Sequence, residues 1–443
     1  MKPIVVLVGR PNVGKSTLFN RLTRSRDALV DDIAGVTRDR HYGDAEWDDT
    51  AFTLVDTGGF VSGDSDAFAP QIRRQVELAV ADADAVVALL DGRQGLSPYD
   101  HDLADMLRQA GKPVFFAVNK IDGPEGEDAL FEFYGLGIEP LYALSAEHGY
   151  GVSDLFTAVV AALPRKKARR RDGGEAIRVA VVGRPNVGKS SLINRIVGSE
   201  RLVVSDVPGT TRDAVDTPVR VDGKPFLLID TAGIRRKGKV SARLEKFSVV
   251  KALRSLERCD VALILMDAGE GITDQDLTVA GYAVDRGRGC VVLLNKWDLV
   301  EKDSRTAAEY LKRLRSEAPF LNFAPAMTIS ALTGQRVSKI FGLIEEVYAQ
   351  YTRRVATGPL NRILARALER NEPSLYRGRR LKFYYVSQVS TRPPTFVCFV
   401  NYPEAVHFSY RRYLINQFRR EAGLDKTPLR LLFRQRSGKR GRK

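Results

Sequence analysis

The sequence predicts an α/β protein. Two tandem domains, each a mostly parallel sheet with helices on both faces, precede a small α+β domain. Three observations point there. The eight residues GRPNVGKS occupy 9–16 and recur, letter for letter, at 183–190, 174 positions on. Behind each copy, short apolar runs alternate with helical patterns, which marks a sheet buried on both faces. Beyond about residue 355 the pattern changes to a few strands and helical stripes in strongly basic surroundings.

In the first copy IVVLV (4–8) enters the glycine loop as a strand, and Leu18 and Leu22 mark the buried face of the helix that follows. Further strands are expected at AFTLVD (51–56), AVVALLD (85–91), PVFFAVN (113–119) and PLYALS (140–145). The second copy repeats the order with VAVV before Gly183, a helix carrying Leu192 and Ile196, then PFLLID (225–230), VALILMD (261–267), CVVLLN within 289–295 and PAMTIS (325–330). PRKKARRRDGGE (164–175) between them lacks apolar periodicity and reads as a linker, either a solvated tether or a contact with phosphate. In the tail, Leu360, Ile363, Leu364, Ala367 and Leu368 form one helical stripe, and LKFYYVSQV (381–389) and TFVCFV (395–400) read as strands. Ser409 is placed as the cap of a helix bearing Tyr410, Tyr413, Leu414 and Phe418, stopped by Gly423. LRLLFR (429–434) is a last strand, and RQRSGKRGRK is expected to be mobile. The domains are thus 1–163, 176–352 and 353–436, with linker 164–175 and basic tail 437–443.

Charge is distributed unevenly. The net charge is +15, yet residues 353–443 hold 22 Lys+Arg against 5 Asp+Glu, whereas residues 1–163 hold 14 against 26. Such a gradient points to a polyanionic partner or to one domain docking on another. No apolar run reaches the roughly 18–20 residues of a membrane span, and the N-terminal apolar stretch reads as a buried strand rather than a signal peptide. Cys259, Cys290 and Cys398 lie far apart and are expected as reduced core residues of a cytoplasmic protein.

Each copy has the spacing G-x-x-x-x-G-K-S. Gly9, Arg10, Pro11, Asn12, Val13, Gly14, Lys15, Ser16 and Thr17 are assigned to one nucleotide. Gly183, Arg184, Pro185, Asn186, Val187, Gly188, Lys189, Ser190 and Ser191 are assigned to another. The glycines let backbone N–H groups converge on phosphate oxygens at the positive end of a helix. Lys15 and Lys189 neutralise the β- and γ-phosphates, and Ser16 and Ser190 offer a hydroxyl to Mg²⁺. Asp56-Thr57-Gly58-Gly59 and Asp230-Thr231-Ala232-Gly233 end apolar strands. There a carboxylate holds Mg²⁺ through water and the Gly59 or Gly233 N–H meets the γ-phosphate. Thr37 and Thr211 each lie 28 residues after the first P-loop glycine. A threonine there completes the Mg²⁺ shell when γ-phosphate is present; alone, it is an ordinary turn residue.

Asn119-Lys120-Ile121-Asp122 and Asn295-Lys296-Trp297-Asp298 select the base. A carboxylate at a strand end accepts from guanine N1–H and the 2-amino group; adenine would leave it unpaired, a discrimination of about 10⁴ or more. Lys120 and Lys296 lie along the base plane, and the N–H groups of Ser145-Ala146 and Ser330-Ala331 face the guanine oxygen. The sites are for GTP and GDP. Hydrolysis needs an oriented water, and the residue after the DxxG glycine is Phe60 in one copy and Ile234 in the other, neither able to orient it. Asn12 and Asn186 either order their loops or hold a monovalent cation such as K⁺ at the β–γ bridge.

These motifs, duplicated and followed by a small basic domain, resemble the EngA (Der) family of bacterial GTPases over essentially the whole chain. The resemblance implies a cytoplasmic K⁺-stimulated GTPase of the hydrophobic-substituted class that binds the large ribosomal subunit and assists its assembly. A monomer is expected. No GxxG loop joins the helical stretches of the tail, so clamping of single-stranded nucleic acid in the usual KH manner is not expected, although the positive charge favours phosphate contact. Phe383, Tyr384 and Tyr385 read first as core and second as base-stacking groups. RRKGKV (235–240) is a solvated loop or an RNA contact, and the acidic first domain is a candidate to pack on the basic tail in one nucleotide state. The alternative function is an RNA-binding scaffold in which one site binds nucleotide without significant turnover. A membrane-surface role ranks last, for want of a long basic amphipathic helix or a lipidation signal.

Overall fold

The structure is a computed structural model and describes residues 2–27, 42–58, 70–164, 176–198, 216–231, 249–301, 303 and 305–435. The chain forms two compact units, one built on the first sheet and one holding the second sheet together with the C-terminal domain.

The first unit contains β1 (Ile4–Val8), β2 (Tyr42–Trp47), β3 (Thr50–Asp56), β4 (Ala85–Asp91), β5 (Val114–Asn119) and β6 (Leu141–Ala143), in the order β2-β3-β1-β4-β5-β6. Only β2 runs antiparallel, against β3. From β1 the chain moves first to β3 on one side and then to β4 on the other, so the strand order reverses at the end of β1, where α/β sheets bind ligands. Every residue of β1 and β4 is buried, which explains their unbroken apolar runs. The helix Lys15–Asp27 starts inside the glycine motif and sinks Leu18 and Leu22 into a core with Phe52, Leu54, Leu89 and Phe156.

The second unit repeats this plan with β7 (Ile177–Val182), β8 (Thr217–Val221), β9 (Lys224–Leu228), β10 (Val261–Asp267), β11 (Gly289–Asn295) and β12 (Ala326–Thr328), in the order β12-β11-β10-β7-β9-β8. The edge strands β2 and β8 are absent from the sequence expectation because half of each faces outward and their apolar runs are broken, by Asp44 and Glu46 in β2 and by Pro218 and Arg220 in β8. Their turns carry the missed signal. Asp48-Asp49 and Asp222-Gly223 all take positive φ, as a two-residue hairpin joining right-twisted strands requires.

The C-terminal domain has β13 (Phe383–Ser390), β14 (Thr395–Val400) and β15 (Arg430–Gln435) in sequential order, β13 antiparallel and β15 parallel to β14. The helices Thr357–Arg370 and Phe408–Ala422 lie on one face, over a core of Leu360, Ile363, Leu364, Val386, Phe396, Cys398, Leu414 and Phe418. This is the α-β-β-α-β order expected. Gly423 stops its helix at φ 64, but the cap is His407, whose Nδ1 accepts from the Ser409 N–H, so Ser409 falls within the first turn instead. Tyr384 and Tyr385 are 42% and 41% exposed and are therefore not core; a bulge between Phe383 and Tyr385 turns Phe383 inward and Tyr385 out. The three cysteines are free and buried, and burial pushes the Cys259 and Cys398 thiols up to about 12.

Within the second unit the C-terminal domain docks on the helices behind β10 and β11. Arg430 donates to the Asp285 carbonyl (2.9 Å), Arg392 to the Tyr348 hydroxyl (2.9 Å) and Gln350 to Asp425 (2.8 Å), while Lys426 pairs with Glu346 (2.6 Å). Among the described residues no helix is long and apolar enough to cross a membrane.

Candidate functional site

The two glycine loops sit at the carboxyl ends of β1 and β7. At Gly9 (φ +147) a Cβ would strike the Leu89 carbonyl, and at Gly183 (φ +156) the Leu265 carbonyl, so only glycine lets the loop leave the strand this close to its neighbour. Asn12 and Asn186 both sit at φ 62, a left-handed conformation that asparagine tolerates better than most side chains. Val13 and Val187 anchor the loops in the cores. Arg10 turns away to the Gly95 carbonyl (2.7 Å) and toward Asp100, while Arg184 turns to Glu270 (2.5 Å) and Asp276 (3.3 Å). Asp100 and Asp276 also cap the helices Pro98–Arg108 and Asp274–Asp285, so the arginines brace the loops from behind. Pro11, Thr17 and Ser191 are exposed, and Pro185 is half-buried.

Lys15 is buried and donates to the carbonyls of Gly9 (2.8 Å) and Arg10 (2.7 Å). Burial lowers its ammonium to about 8, against the opposing pull of Asp56. Lys189 donates to the Arg184 carbonyl (2.6 Å) and is half-buried.

The copies part at the strand carrying the first DxxG aspartate. In the first, β3 pairs with β1 as far as Leu7 opposite Asp56, and Thr57 donates to the Leu7 carbonyl through both its N–H (3.3 Å) and its hydroxyl (2.8 Å). Asp56 accepts from the Ser16 hydroxyl (2.7 Å) and from the Gly58 N–H (2.8 Å). In the second, β9 ends at Leu228, and Asp230 stands in a turn at φ 61. Its N–H donates to Asp216 (2.9 Å), its carboxylate accepts from the Ser255 hydroxyl (3.3 Å), and Arg258 pairs with Asp216. Thr231 meets the Thr217 hydroxyl (2.5 Å).

At the base end the copies match closely. Asn119 donates to the Val13 carbonyl (2.7 Å) and accepts from the Ala146 N–H (2.8 Å); Asn295 does the same with Val187 (2.7 Å) and Ala331 (2.9 Å). Each asparagine thus bolts the P-loop to the Ser-Ala loop. Lys120 (φ 72) pairs with Asp91 and Lys296 (φ 62) with Asp267, both at 2.5 Å. Ile121 and Trp297 are buried beneath the site; Trp297 stands edge-on to Tyr310 at 5.3 Å. Asp122 accepts from the Ser145 hydroxyl (2.8 Å) and Arg93 (2.9 Å), and these donors hold its carboxyl below the ordinary range. Asp298 differs: its Oδ1 is buried with no hydrogen-bond partner among the described residues. Ser330 is buried and accepts from the Thr333 N–H at 3.1 Å.

Thr37, Gly59, Phe60, Thr211, Ala232, Gly233 and Ile234 lie outside the described residues, as do residues 165–175, 235–240 and 436–443. Sequence reasoning passed over Asp91 and Asp267, Arg93, Asp216 and Ser255. The first two carried a readable signal, a carboxylate at the end of a fully buried strand. Burial acts to raise the Asp91 carboxyl, but Lys120 and the Arg93 and Gln94 N–H groups outweigh it and hold it below its ordinary value.

A P-loop, a DxxG carboxylate and an Asn-Lys-x-Asp bridge arranged around one sheet end define a GTPase. Comparison with known proteins agrees: residues 4–120 and 178–296 match the family model described as 50S ribosome-binding GTPase, and residues 354–434 match that of the KH-domain-like region at the C-terminus of EngA bacterial GTPase enzymes. A protein named GTPase Der from Desulforapulum autotrophicum is 59% identical, covering 99% of this chain and 92% of its own. GTPase Der of Geotalea daltonii is 52% identical, covering 99% and 100%, and that of Syntrophobacter fumaroxidans is 51% identical over 98% of each. The chain belongs to the Der family of GTPases; it binds and hydrolyses GTP.

Proposed function

We propose that the chain carries two guanine-nucleotide sites and that their loading gates association with the large ribosomal subunit, through rRNA, during subunit assembly. The repeated asparagine bridge carries the first part. Asn119 and Asn295 make the same two bonds, and each sets an Asn-Lys-x-Asp carboxylate against its own P-loop. The domains are taken as 1–163, 176–352 and 353–436, joined by the linker 164–175 and ending in the basic tail 437–443.

In this reading Lys15 and Lys189 exchange the loop carbonyls for the β- and γ-phosphates, and Asp122 and Asp298 accept from guanine. A buried acceptor left unpaired costs about 1–3 kcal/mol, so the orphaned Asp298 Oδ1 favours a base with donors on that edge. Among the described residues no group of three or more His, Cys, Asp or Glu gathers to cage a metal. Ser16 and Asp56 suit Mg²⁺, an ion that takes few protein ligands and keeps waters and phosphate oxygens; Ser190 and Asp230 are the counterparts. When bound, Mg²⁺ screens the phosphate charge. Thr37 and Thr211 would add a hydroxyl to that ion, and the Gly59 and Gly233 N–H groups would meet the γ-phosphate. With Phe60 and Ile234 unable to orient water, Asn12 and Asn186 are the residues that would hold K⁺, whose charge would offset that of the phosphates. Turnover is then faster in K⁺ than in Na⁺ at equal ionic strength, and equal rates remove the K⁺ site.

Equilibrium titration with a fluescently labelled GDP tests the two-site reading. The expected uptake is two per chain, falling to one in Lys15→Ala or Lys189→Ala, with no displacement by ATP. One nucleotide per chain, or displacement by ATP, overturns it. Sedimentation with large subunits under a GTP analogue and under GDP tests the gating. A second reading, a scaffold with one low-turnover site, has one observation in its favour: Asp230 is engaged by Asp216 and Ser255. Single-turnover hydrolysis by the two lysine variants separates the readings.

A further inference from the structure

The C-terminal sheet has one face beneath its two helices and one face without them. Strand alternation sends Val386, Phe396, Cys398 and Leu431 to the helices. The other face is laid out in cross-strand rows, of which one is Tyr385 opposite Phe399 and Phe399 opposite Arg434. The Tyr385 and Phe399 rings are stacked, 4.4 Å between centroids and 17° from parallel. Tyr385 is 41% exposed, and Arg434 is exposed beside the pair. At the opposite end of the same face, opposite Thr395, Arg430 reaches the Asp285 carbonyl, so the second GTPase domain holds that end.

We propose that the Tyr385–Phe399–Arg434 row is a stacking platform for an unpaired RNA base, with Arg434 on the adjoining phosphate. This rests on the RNA-binding reading above and names the surface that does it. A ring held in place by stacking on a second ring offers its outer face to a base without sequence preference, and a neighbouring guanidinium supplies the charge. The 22 Lys+Arg against 5 Asp+Glu in residues 353–443 favour a polyanion over an apolar protein segment as the occupant. A GxxG clamp does not compete for the role. None lies between the two helices, and Gly438–Gly441, which has that spacing, falls in the tail outside the described residues.

The test uses the full chain and a single-stranded RNA 12-mer with a central 2-aminopurine, alongside sedimentation with large ribosomal subunits. Binding is expected to quench the 2-aminopurine. Tyr385→Ala is expected to weaken oligomer binding about five- to a hundredfold, Tyr385→Trp to retain it, and Arg434→Gln to lower the salt slope by about one. GDP uptake is expected to be unchanged in all three. Unaltered oligomer binding by Tyr385→Ala, with the wild-type chain still sedimenting with subunits, overturns the platform and leaves the RNA reading standing. Loss of sedimentation with oligomer binding intact assigns the row to a protein contact and also overturns it. If the wild-type chain binds neither oligomer nor subunits, platform and RNA reading fall together.

Discussion

Asp56 and Asp230 hold the same position in two copies of one motif, yet the first ends strand β3 and the second stands in a turn two residues beyond β9. Asp56 extends the ladder to β1 and takes the Ser16 hydroxyl; Asp230 sits in a left-handed turn and takes the Ser255 hydroxyl. The cause lies in the neighbours. Sheet register places Asp216 where the first copy has Tyr42, since Tyr42 faces Val55 and Thr217 faces Leu228. Ser255 stands five residues before Asp260, which accepts from the Arg178 N–H; Ala79 stands five before Asp84, which accepts from the Ile4 N–H. By the same count Asp82 replaces Arg258. The second copy therefore has a carboxylate, a hydroxyl and a guanidinium with which to hold its aspartate aside, where the first has a phenol, a methyl group and a carboxylate. At the base end the inequality reverses: Asp122 is tied to Arg93, whereas the second copy has Gly269 at that place and the Asp298 Oδ1 has no hydrogen-bond partner among the described residues. Identical motifs thus leave one site ordered at its metal end and the other open at its base end.

The largest expected effect probes the base end. Asp298→Asn, read in a Lys15→Ala chain so that only the second site reports, is expected to weaken GDP about 10⁴-fold. Asp122→Asn in a Lys189→Ala chain is expected to lose severalfold less, because wild-type Asp122 must first give up Arg93. Equal losses by calorimetric titration would erase this half of the comparison.

The second effect separates the lysines. Lys15 is buried with its ammonium lowered to about 8, whereas Lys189 is half-buried. Phosphate binding favours the charged form, so uptake at the first site must bind a proton once the free lysine has lost it. Affinity there is expected to hold below pH 8 and to fall above it by up to about tenfold per pH unit. The sign for folding is opposite. The folded ammonium lies below its unfolded value of 10.5, so stability rises between about 8 and 10.5 as the unfolded chain sheds protons later. Calorimetric titrations of the Lys189→Ala chain between pH 7 and 9.5 check the first; a flat profile removes the distinction.

The shared half of this arrangement was legible in residues, and the unequal half was not. GRPNVGKS and Asn-Lys-x-Asp act through local spacing: a glycine loop after an apolar strand has one way to turn, and an asparagine at the next strand end can reach it. Asp230 is decided by partners 14 residues before and 25 after it, and no local rule connects them. The strands β2 and β8 escaped because period-two burial is weak when charged residues and a proline break up a short edge strand, although Asp222-Gly223 marked one hairpin openly. His407 displaced Ser409 as a cap because a ring nitrogen can accept the N–H as a hydroxyl would. Tyr385 falls outside the core, its first reading, because a single bulge reverses which residues of β13 face the helices.

Ser255→Ala tests the metal end at intermediate size. Removing one hydrogen bond to Asp230 is expected to relieve about 0.5–1.5 kcal/mol of restraint, and a left-handed non-glycine residue stays put only while its surroundings hold it. Nucleotide affinity of the second site in the presence of Mg²⁺ is therefore expected to rise about two- to tenfold, with no change in Mg²⁺-free affinity. A gain of equal size without Mg²⁺ would place the effect elsewhere than at Asp230.

The smallest effect belongs to Arg93. Its pair with Asp122 is exposed on both sides, 67% and 42%, so its worth is bounded at about 0.2–1 kcal/mol. That range allows a gain of only about 1.5- to 5-fold in GDP affinity at the first site on Arg93→Ala. The gain should shrink as salt rises, because screening already does to the wild-type pair what the substitution does outright. A loss of affinity would mean that Arg93 assists the base instead of competing for its carboxylate, and the two base ends would then differ by an added contact rather than by a restraint.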